Sequence, residues 1–366
     1  MCIKFILTNV LVNCWKNMVK GKRLRKSSDK PTLGDVAKAA GVSTATVSRA
    51  LNQPHQVKET LRARIEDEIN RLGYVRDGAA RALASNKKRM IGAIIPTIDN
   101  AIFASGINAL ERRLYEEGYT LMLAVSNYDP KHELKQVRDI MEQGVDGLLL
   151  VGNDHAPETY SILKQHNQIF ANLWALDRTS PHPCVGFDNF TAAQQVTEYL
   201  LDQGHTRFGL ISGITKGNDR ATARLEGAKE SLKKAGIFLQ PQDVVECRYD
   251  IWEGRNACRH LLGKPERERP TALICGNDVL AFGCLTECDK LGISVPTQVS
   301  ITGFDDLPLC EHLSPSLTTI RVPSRMMGER AADFILDQIA GRESATHIEV
   351  PTQLVVREST SVPITK

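Results

Sequence analysis

Ser43, Thr44, Ala45, Thr46, Ser48, Arg49 and Asn52 fall within ten residues and put hydroxyl, guanidinium and amide groups on short side chains. Such a set can hydrogen-bond phosphate oxygens and read base edges, and a lone methyl can touch a thymine. At about 100° per residue, Ala45, Ser48, Arg49 and Asn52 face one way on a helix while Val47 and Leu51 face the other. Arg49 suits a bidentate contact with guanine. Thr44 and Ala45 suit neighbouring bases, and Ser43, Thr46, Ser48, Asn52 and Thr32 suit phosphates.

Those side chains need a rigid mount. Thr32 and Asp35 have capping-box spacing and open a first helix. Val36, Ala37 and Ala40 give it a thin buried face, and Gly41 supplies the left-handed residue of a sharp turn. Ser43 then caps the second helix. A third helix is expected over 58–72, with Leu61, Ile65, Ile69 and Leu72 on one face and Gly73 at its end. This is a helix-turn-helix whose second helix suits a major groove. The bland alternative is any small helical hairpin. The tight Gly-Val-Ser turn, two caps and a polar outer face together argue against it.

Charge is divided the same way. Residues 18–90 carry 17 basic and 7 acidic side chains, a net of +10, while residues 91–366 carry 27 and 36, a net of −9. A basic head on an acidic body is the footprint of a polyanion-binding module fused to another domain. Residues 1–15 are mostly apolar but too short to span a bilayer. No small-x-small cleavage site follows them, so they read as an over-extended start, with Met18 an alternative first residue. Lys20, Lys22, Arg23, Arg25 and Lys26 predict a flexible basic arm, and residues 1–30 a disordered basic extension.

From Met90 the texture alternates between short apolar runs and amphipathic stretches. Strands are expected at 91–95, 119–125, 147–151, 169–173, 208–212, 244–248, 271–275 and 300–304. Helices are expected at 106–117, 131–143, 191–203, 220–235, 254–262 and 279–291. Alternation of this kind predicts parallel sheets with a ligand site at the strands' carboxyl ends. Neither Gly-x-Gly-x-x-Gly nor Gly-x-x-x-x-Gly-Lys-Ser/Thr occurs, so no nucleotide cofactor is expected. Nine cysteines form no Cys-x-x-Cys. Cys284 and Cys288, one helical turn apart, read as core thiols, and Cys258/His260 and Cys310/His312 as chance pairs, so no metal is expected. No Gly-x-Ser-x-Gly elbow appears, and Asp305/Asp306, adjacent and pointing apart, make a poor catalytic pair. An enzyme is therefore not expected.

The helix-turn-helix, Gly73-Tyr74 and 77–84 resemble the lactose-repressor/galactose-repressor (LacI/GalR) family of bacterial transcription regulators. So do Glu-Gly-Tyr-Thr-Leu-Met-Leu (117–123), Gly-Val-Asp-Gly-Leu-Leu-Leu (144–150), 203–213 and Gly-Asn-Asp-Val-Leu-Ala-Phe-Gly (276–283). The resemblance runs from Thr32 to about Thr360. It implies an N-terminal all-α helix-turn-helix headpiece at 31–75 and a hinge helix or linker at 76–88. An α/β two-lobed periplasmic-binding-protein-like effector domain follows at 89–360. Lobe 1 would comprise 89–188 and 321–340, and lobe 2 189–320 and 343–360. Crossovers would fall near 188–190, 318–322 and 338–345.

The implied partners are pseudo-palindromic operator DNA, a second copy of the chain (a homodimer or a tetramer) and a small-molecule effector, in the cytoplasm. Tyr74 and Arg81 would join the DNA contacts, and Leu83 from each subunit would wedge into the minor groove. The hinge departs from the family pattern, with Val75-Arg76-Asp77 where x-Pro-Asn is usual. Asp77 can still cap, but Gly78 weakens a helix by about 1 kcal/mol relative to Ala, so the hinge helix should be less formed off DNA than is usual. The implied effector contacts are Phe103, Asp188, Arg224, Trp252, Asn277 and Asp305, with Ala101 standing where the family usually has Pro. The stretches 123–130 and 184–189 look similar to regulators of gluconate and ketogluconate use, which leans the effector toward a sugar or sugar acid. A purine or a protein co-repressor is the alternative within the class. A sugar-binding transport protein fits the body but gives residues 32–83 no place.

Overall fold

The computed structural model describes residues 30–75 and 88–364. The basic arm and most of the hinge, including Asp77, Gly78, Arg81 and Leu83, lie outside the described residues. The chain divides into two compact units, up to Asn86 and from Lys87 onward.

The first unit packs α1 (Leu33–Ala39), α2 (Thr44–Asn52) and α3 (Glu59–Leu72) around Val36, Ala37, Ala40, Val47, Ala50 and Ile65. Its apolar residues are small and few, so the helix ends matter. The Thr32/Asp35 capping box forms, with Asp35 Oδ2 accepting the Thr32 N–H at 2.8 Å. Gly41 takes φ +64° at the turn. Ser43 Oγ accepts the Thr46 N–H at 3.1 Å. Gly73, also left-handed, closes α3.

The second unit holds two six-stranded sheets. The first contains β1 (Met90–Ile95), β2 (Thr120–Val125), β3 (Gly147–Val151), β4 (Phe170–Leu173), β5 (Cys184–Gly186) and β11 (His347–Glu349), in the order β11-β5-β4-β3-β1-β2. All its pairings are parallel. The second contains β6 (Phe208–Gly213), β7 (Val244–Cys247), β8 (Ala272–Cys275), β9 (Ser300–Asp305), β10 (Thr318–Arg321) and β12 (Gln353–Val355), in the order β12-β10-β9-β8-β6-β7. Only β12 runs antiparallel. Runs such as Gly147–Val151, buried throughout, are what a strand covered on both faces requires. Each sheet reverses its strand order once, between β1 and β3 and between β6 and β8. Crevices at the strands' carboxyl ends form at such switch points.

The helices of this unit are α4 (Ala101–Glu116), α5 (Pro130–Gln143), α6 (Pro157–Gln165), α7 (Asn189–Asp202), α8 (Asp219–Lys234), α9 (Ile251–Leu262), α10 (Asp278–Leu291) and α11 (Ser324–Ile339). The chain passes between lobes after β5, after β10 and between β11 and β12. The last passage corrects the sequence expectation. Residues 347–349 pair with Cys184–Gly186 in the first lobe, so the third crossover is at 350–352 rather than 338–345, and 343–349 do not belong to lobe 2.

Helices α4 and α11 pack with their glycines in contact. A Cβ on Gly328 would stand 2.0 Å from the Gly106 carbonyl oxygen, which is backbone and cannot rotate away. Gly328→Ala is expected to destabilise the second unit by about 1–3 kcal/mol, read as a lower urea midpoint. An unchanged midpoint would mean that the two helices separate at no cost.

Candidate functional site

On the first unit, α2 presents Thr44, Ala45, Arg49 and Asn52 to solvent, with Ser43 and Thr32 exposed at the two helix starts. Thr46 and Ser48 are half-buried. Ser48 Oγ accepts the Asn52 Nδ2–H at 3.2 Å, so two of the polar groups are already oriented. Val47 is fully buried and Leu51 partly so, which fixes the helix with Arg49 outward. Tyr74 packs against the small core rather than standing free.

On the second unit, a cavity lies between the lobes. The first lobe contributes Asn100, Phe103, Tyr128 and Trp174, and the second contributes Arg220, Arg224, Tyr249, Asn277 and Asp305, with Phe187, Asn189 and Asn218 among the rest. These residues follow the carboxyl ends of β1, β2, β4, β5, β6, β7 and β8 or, with Asp305, close β9. Three of the asparagines start helices: Asn100 accepts the Ile102 N–H, Asn218 that of Ala221 and Asn277 that of Leu280. The residue type that begins a helix thus also lines the cavity.

Aromatic rings form opposite walls. Phe103 meets Trp174 edge to face at 5.2 Å between centroids. Trp174 has a left-handed backbone (φ +61°), and Gly106 leaves room for its indole, because a Cβ there would stand 2.7 Å from the ring. Tyr249 packs over Gly213 and accepts the Arg224 Nη2–H at 2.9 Å. The Arg224 guanidinium lies 4.6 Å from the Phe304 ring centre, a cation–π contact.

Four buried polar atoms on the lining have no partner among the described residues: Trp174 Nε1, Arg224 Nε, Asn277 Nδ2 and Asn189 Oδ1. Buried polar groups are ordinarily satisfied, so this concentration in one cavity marks a place for a ligand.

One acid, Asp305, lines the cavity, and a second, Asp278, acts on it from outside the lining. Burial pushes the Asp305 carboxyl well above the usual carboxylate range, against the pull of Arg224 and with Asp278 adding to the rise. Asp278 is fully buried and accepts from Thr319 Oγ1 at 2.6 Å and from the Leu307 N–H at 2.7 Å. Burial nevertheless raises its carboxyl from 3.8 to about 6. A raised carboxyl favours the protonated native state, so its contribution to stability is full below about pH 4 and is lost as pH rises through 6. Asp278→Asn, which can keep both hydrogen bonds with its amide turned, is expected to flatten the decline of the urea midpoint between pH 4 and 6. A slope unchanged in the variant would assign that decline to another group.

The lobes are tied at the cavity's edge. Arg220 Nη1 donates to the Val151 carbonyl at 3.1 Å and to Asp219 Oδ1 at 2.7 Å. The Asn153 N–H donates to Asp219 Oδ2 at 2.7 Å. Gly152, at φ +93°, lies under the arginine, and a Cβ there would stand 1.9 Å from Nη1. His155 braces the same loop, between Glu133 Oε1 at 2.6 Å and the Gly152 carbonyl at 2.9 Å.

Residues 32–77 match the model of bacterial regulatory proteins of the lacI family, and residues 197–360 match a periplasmic binding protein-like domain. The HTH-type transcriptional repressor PurR of Pectobacterium carotovorum subsp. carotovorum is 33% identical over 331 residues, 90% of this chain and 96% of that protein. The HTH-type transcriptional repressor CytR of Escherichia coli is 33% identical over 342 residues, 92% and 98% of the two. The chain belongs to the lacI family. Among solved structures, the lac repressor dimer bound to operator and the anti-inducer ONPF superposes with a TM-score of 0.79 at 25% identity, covering 91% of this chain and 99% of that one.

Within this lacI-family frame, Phe103, Arg224, Asn277 and Asp305 converge on one cavity, whereas two of the residues that the resemblance implied do not reach it. Asp188 is exposed and spends its carboxylate on the start of α7, accepting from the Phe190 and Thr191 N–H groups and the Thr191 hydroxyl. Its neighbour Asn189 is the one that faces the cavity. Trp252 is 59% exposed and stacks on Arg255. The cause is the cap: Asp250 accepts the Trp252 and Glu253 N–H groups, which throws Trp252 onto the outer first turn of α9 and turns Tyr249 inward. Ala101, in place of the usual proline, still opens α4 behind its Asn100 cap. Trp174, Tyr128, Arg220 and Tyr249 line the cavity without being among the expected effector contacts. Trp174 carries a signal, an aromatic directly after the apolar run of β4 at a strand's carboxyl end.

Proposed function

We propose that this chain is a transcriptional repressor that reads operator DNA with α2 and whose hold on that DNA is set by a small polar effector bound between the lobes. The observation that carries the reading is the union in one chain of an exposed Arg49-bearing recognition helix and a cavity lined by unsatisfied buried donors. Two copies would place two heads on the two halves of a pseudo-palindromic site. Arg49 reads guanine, Thr44 and Ala45 tune neighbouring bases, and Thr32, Ser43, Thr46, Ser48 and Asn52 fix register on phosphates. Arg224, Asn277, Asp305 and Phe103 hold the effector, with Asn189, Trp174 and Tyr249 added from the cavity lining. The ligand changes operator affinity by its difference in affinity for the open and closed lobes. The effector belongs to the sugar class. The similarity of 123–130 and 184–189 to regulators of gluconate use leans it toward an acid. None of the assigned roles is a reaction step, and the reading is of a regulator rather than an enzyme.

The test is fluorescence anisotropy on a duplex selected from random sequence by the protein itself, titrated with compounds that calorimetry shows to bind. A bound compound is expected to change operator affinity at least tenfold. Binding without any change in operator affinity would overturn the regulatory reading, and equal affinity for selected and random duplexes would overturn the repressor reading.

A further inference from the structure

The loop that ties the lobes is itself held by a proton. His155 is buried in the first lobe, with Nδ1 2.6 Å from Glu133 Oε1 of α5 and Nε2 2.9 Å from the Gly152 carbonyl. Both neighbours are oxygen acceptors, whereas a neutral imidazole has one N–H and one bare lone pair. The two contacts together therefore need a proton between Nδ1 and Oε1 besides the one on Nε2, whichever member of the pair owns it. With that proton gone, the remaining N–H serves either Glu133 or Gly152, and a lone pair faces the other oxygen. What the ring holds is the tie. Gly152, at φ +93°, lies between Val151, whose carbonyl accepts from Arg220, and Asn153, whose N–H donates to Asp219. Tyr160 Oη donates to the Asn153 carbonyl at 3.0 Å, and Asn172 Nδ2 to Asn153 Oδ1 at 2.9 Å, while the Gly152 carbonyl is held by His155.

The other titratable groups around the pair are accounted for. Asp154 belongs to the same loop, and His132 of α5 is turned to Gln136. From α8, Asp219 is matched by Arg220 at 2.7 Å. Tyr160 of α6 stands edge-on to His155 at 5.5 Å, and His182 stacks on Tyr160 at 3.9 Å. Burial raises the Tyr160 phenol to about 12 and, with the charge of His155, lowers the His182 imidazole, so neither is the group that takes up a proton near neutrality. We propose that the proton shared by His155 and Glu133 is a pH-sensitive latch on the two lobes. With it, the loop keeps Val151 and Asn153 within reach of Arg220 and Asp219; without it, the loop lets go. The closed form then holds one proton more than the open form, so closure is favoured as pH falls and lost as pH rises. The latch needs no ligand. Its consequence, a pH dependence of effector-controlled operator release, rests on the function proposed above.

Hydrogen exchange on the full chain without ligand tests it, read by mass spectrometry of peptides spanning 151–155 and corrected for the intrinsic exchange rate at each pH. The reporter is the Asn153 N–H, which donates to Asp219 across the lobes. Between about pH 5 and about pH 8, where imidazole chemistry falls, its protection is expected to drop at least tenfold, with a slope approaching tenfold per pH unit at its steepest. Glu133→Gln separates the latch from a merely structural contact. Its amide N–H donates to Nδ1 of a neutral ring whose Nε2–H still serves Gly152, so both contacts persist without the extra proton. Protection in this variant is expected to stay high and level across the range. His155→Ala removes the brace, and protection is expected to be low and level. A level profile in the unaltered protein overturns the proposal without any variant. So does a slope that survives unchanged in either variant once circular dichroism shows it folded, since the proton would then belong to another group, such as Asp278 in the second lobe.

Discussion

Replacing Arg49 with alanine is expected to weaken operator binding by roughly 30- to 10⁴-fold, because a bidentate guanine contact discriminates by about 1–3 kcal/mol and a dimer makes it twice. The substitution leaves the head intact. Arg49 is exposed, Val47 and Ala50 carry the packing of α2, and alanine is the better helix former. Binding to random duplex at low salt rests on phosphate contacts spread over the head, and should fall far less. Anisotropy on the selected operator and on random duplex, at two salt concentrations, separates the two terms. An equal loss on both duplexes would make Arg49 a phosphate contact and remove it as a reader of bases.

The second large effect is expected at Arg224. Truncation to alanine removes the donor to Tyr249, uncovers the Phe304 face and leaves Asp305 without the charge opposite it. Losing a hydrogen bond from a charged group costs about 1.5–3 kcal/mol, so effector affinity should fall by roughly 10- to 10²-fold. Arg224→Lys is expected to restore little, since an ammonium neither lies flat on Phe304 nor keeps an Nε–H beside the ligand. Operator affinity without effector should stay near its original value, because the contact lies in the other compact unit. A variant whose operator release still tracks effector concentration as before would take Arg224 out of the binding set.

Local signals carried far in this sequence and long-range ones did not. The head was legible because its caps and its turn are set by neighbours: Thr32 with Asp35, Gly41 at the turn, Ser43 with Thr46. Strands β1, β3, β6, β8 and β9 announced themselves as buried apolar runs. Strands β5, β10, β11 and β12 have three or four residues each and exist through partners far along the chain, His347 with Cys184 for instance, so no window of sequence marks them. The expected helix starts fall up to five residues late where an asparagine or aspartate cap resembles a loop residue, as Asn100 does before α4. That blind spot cost most at the cavity. Capping by Asp250 rather than burial by side-chain type decides that Tyr249 faces inward and Trp252 outward. The left-handed backbone at Trp174 has no marker in an ordinary L residue.

The tie between Arg220, Asp219 and the 151–153 loop bears on time as well as on affinity. Two hydrogen bonds join the lobes beside the cavity, and a ligand that enters or leaves there has to wait for them to part. Exchange is then gated by the opening rate rather than by diffusion, and that rate sets how long the regulator remembers a molecule after its supply has ended.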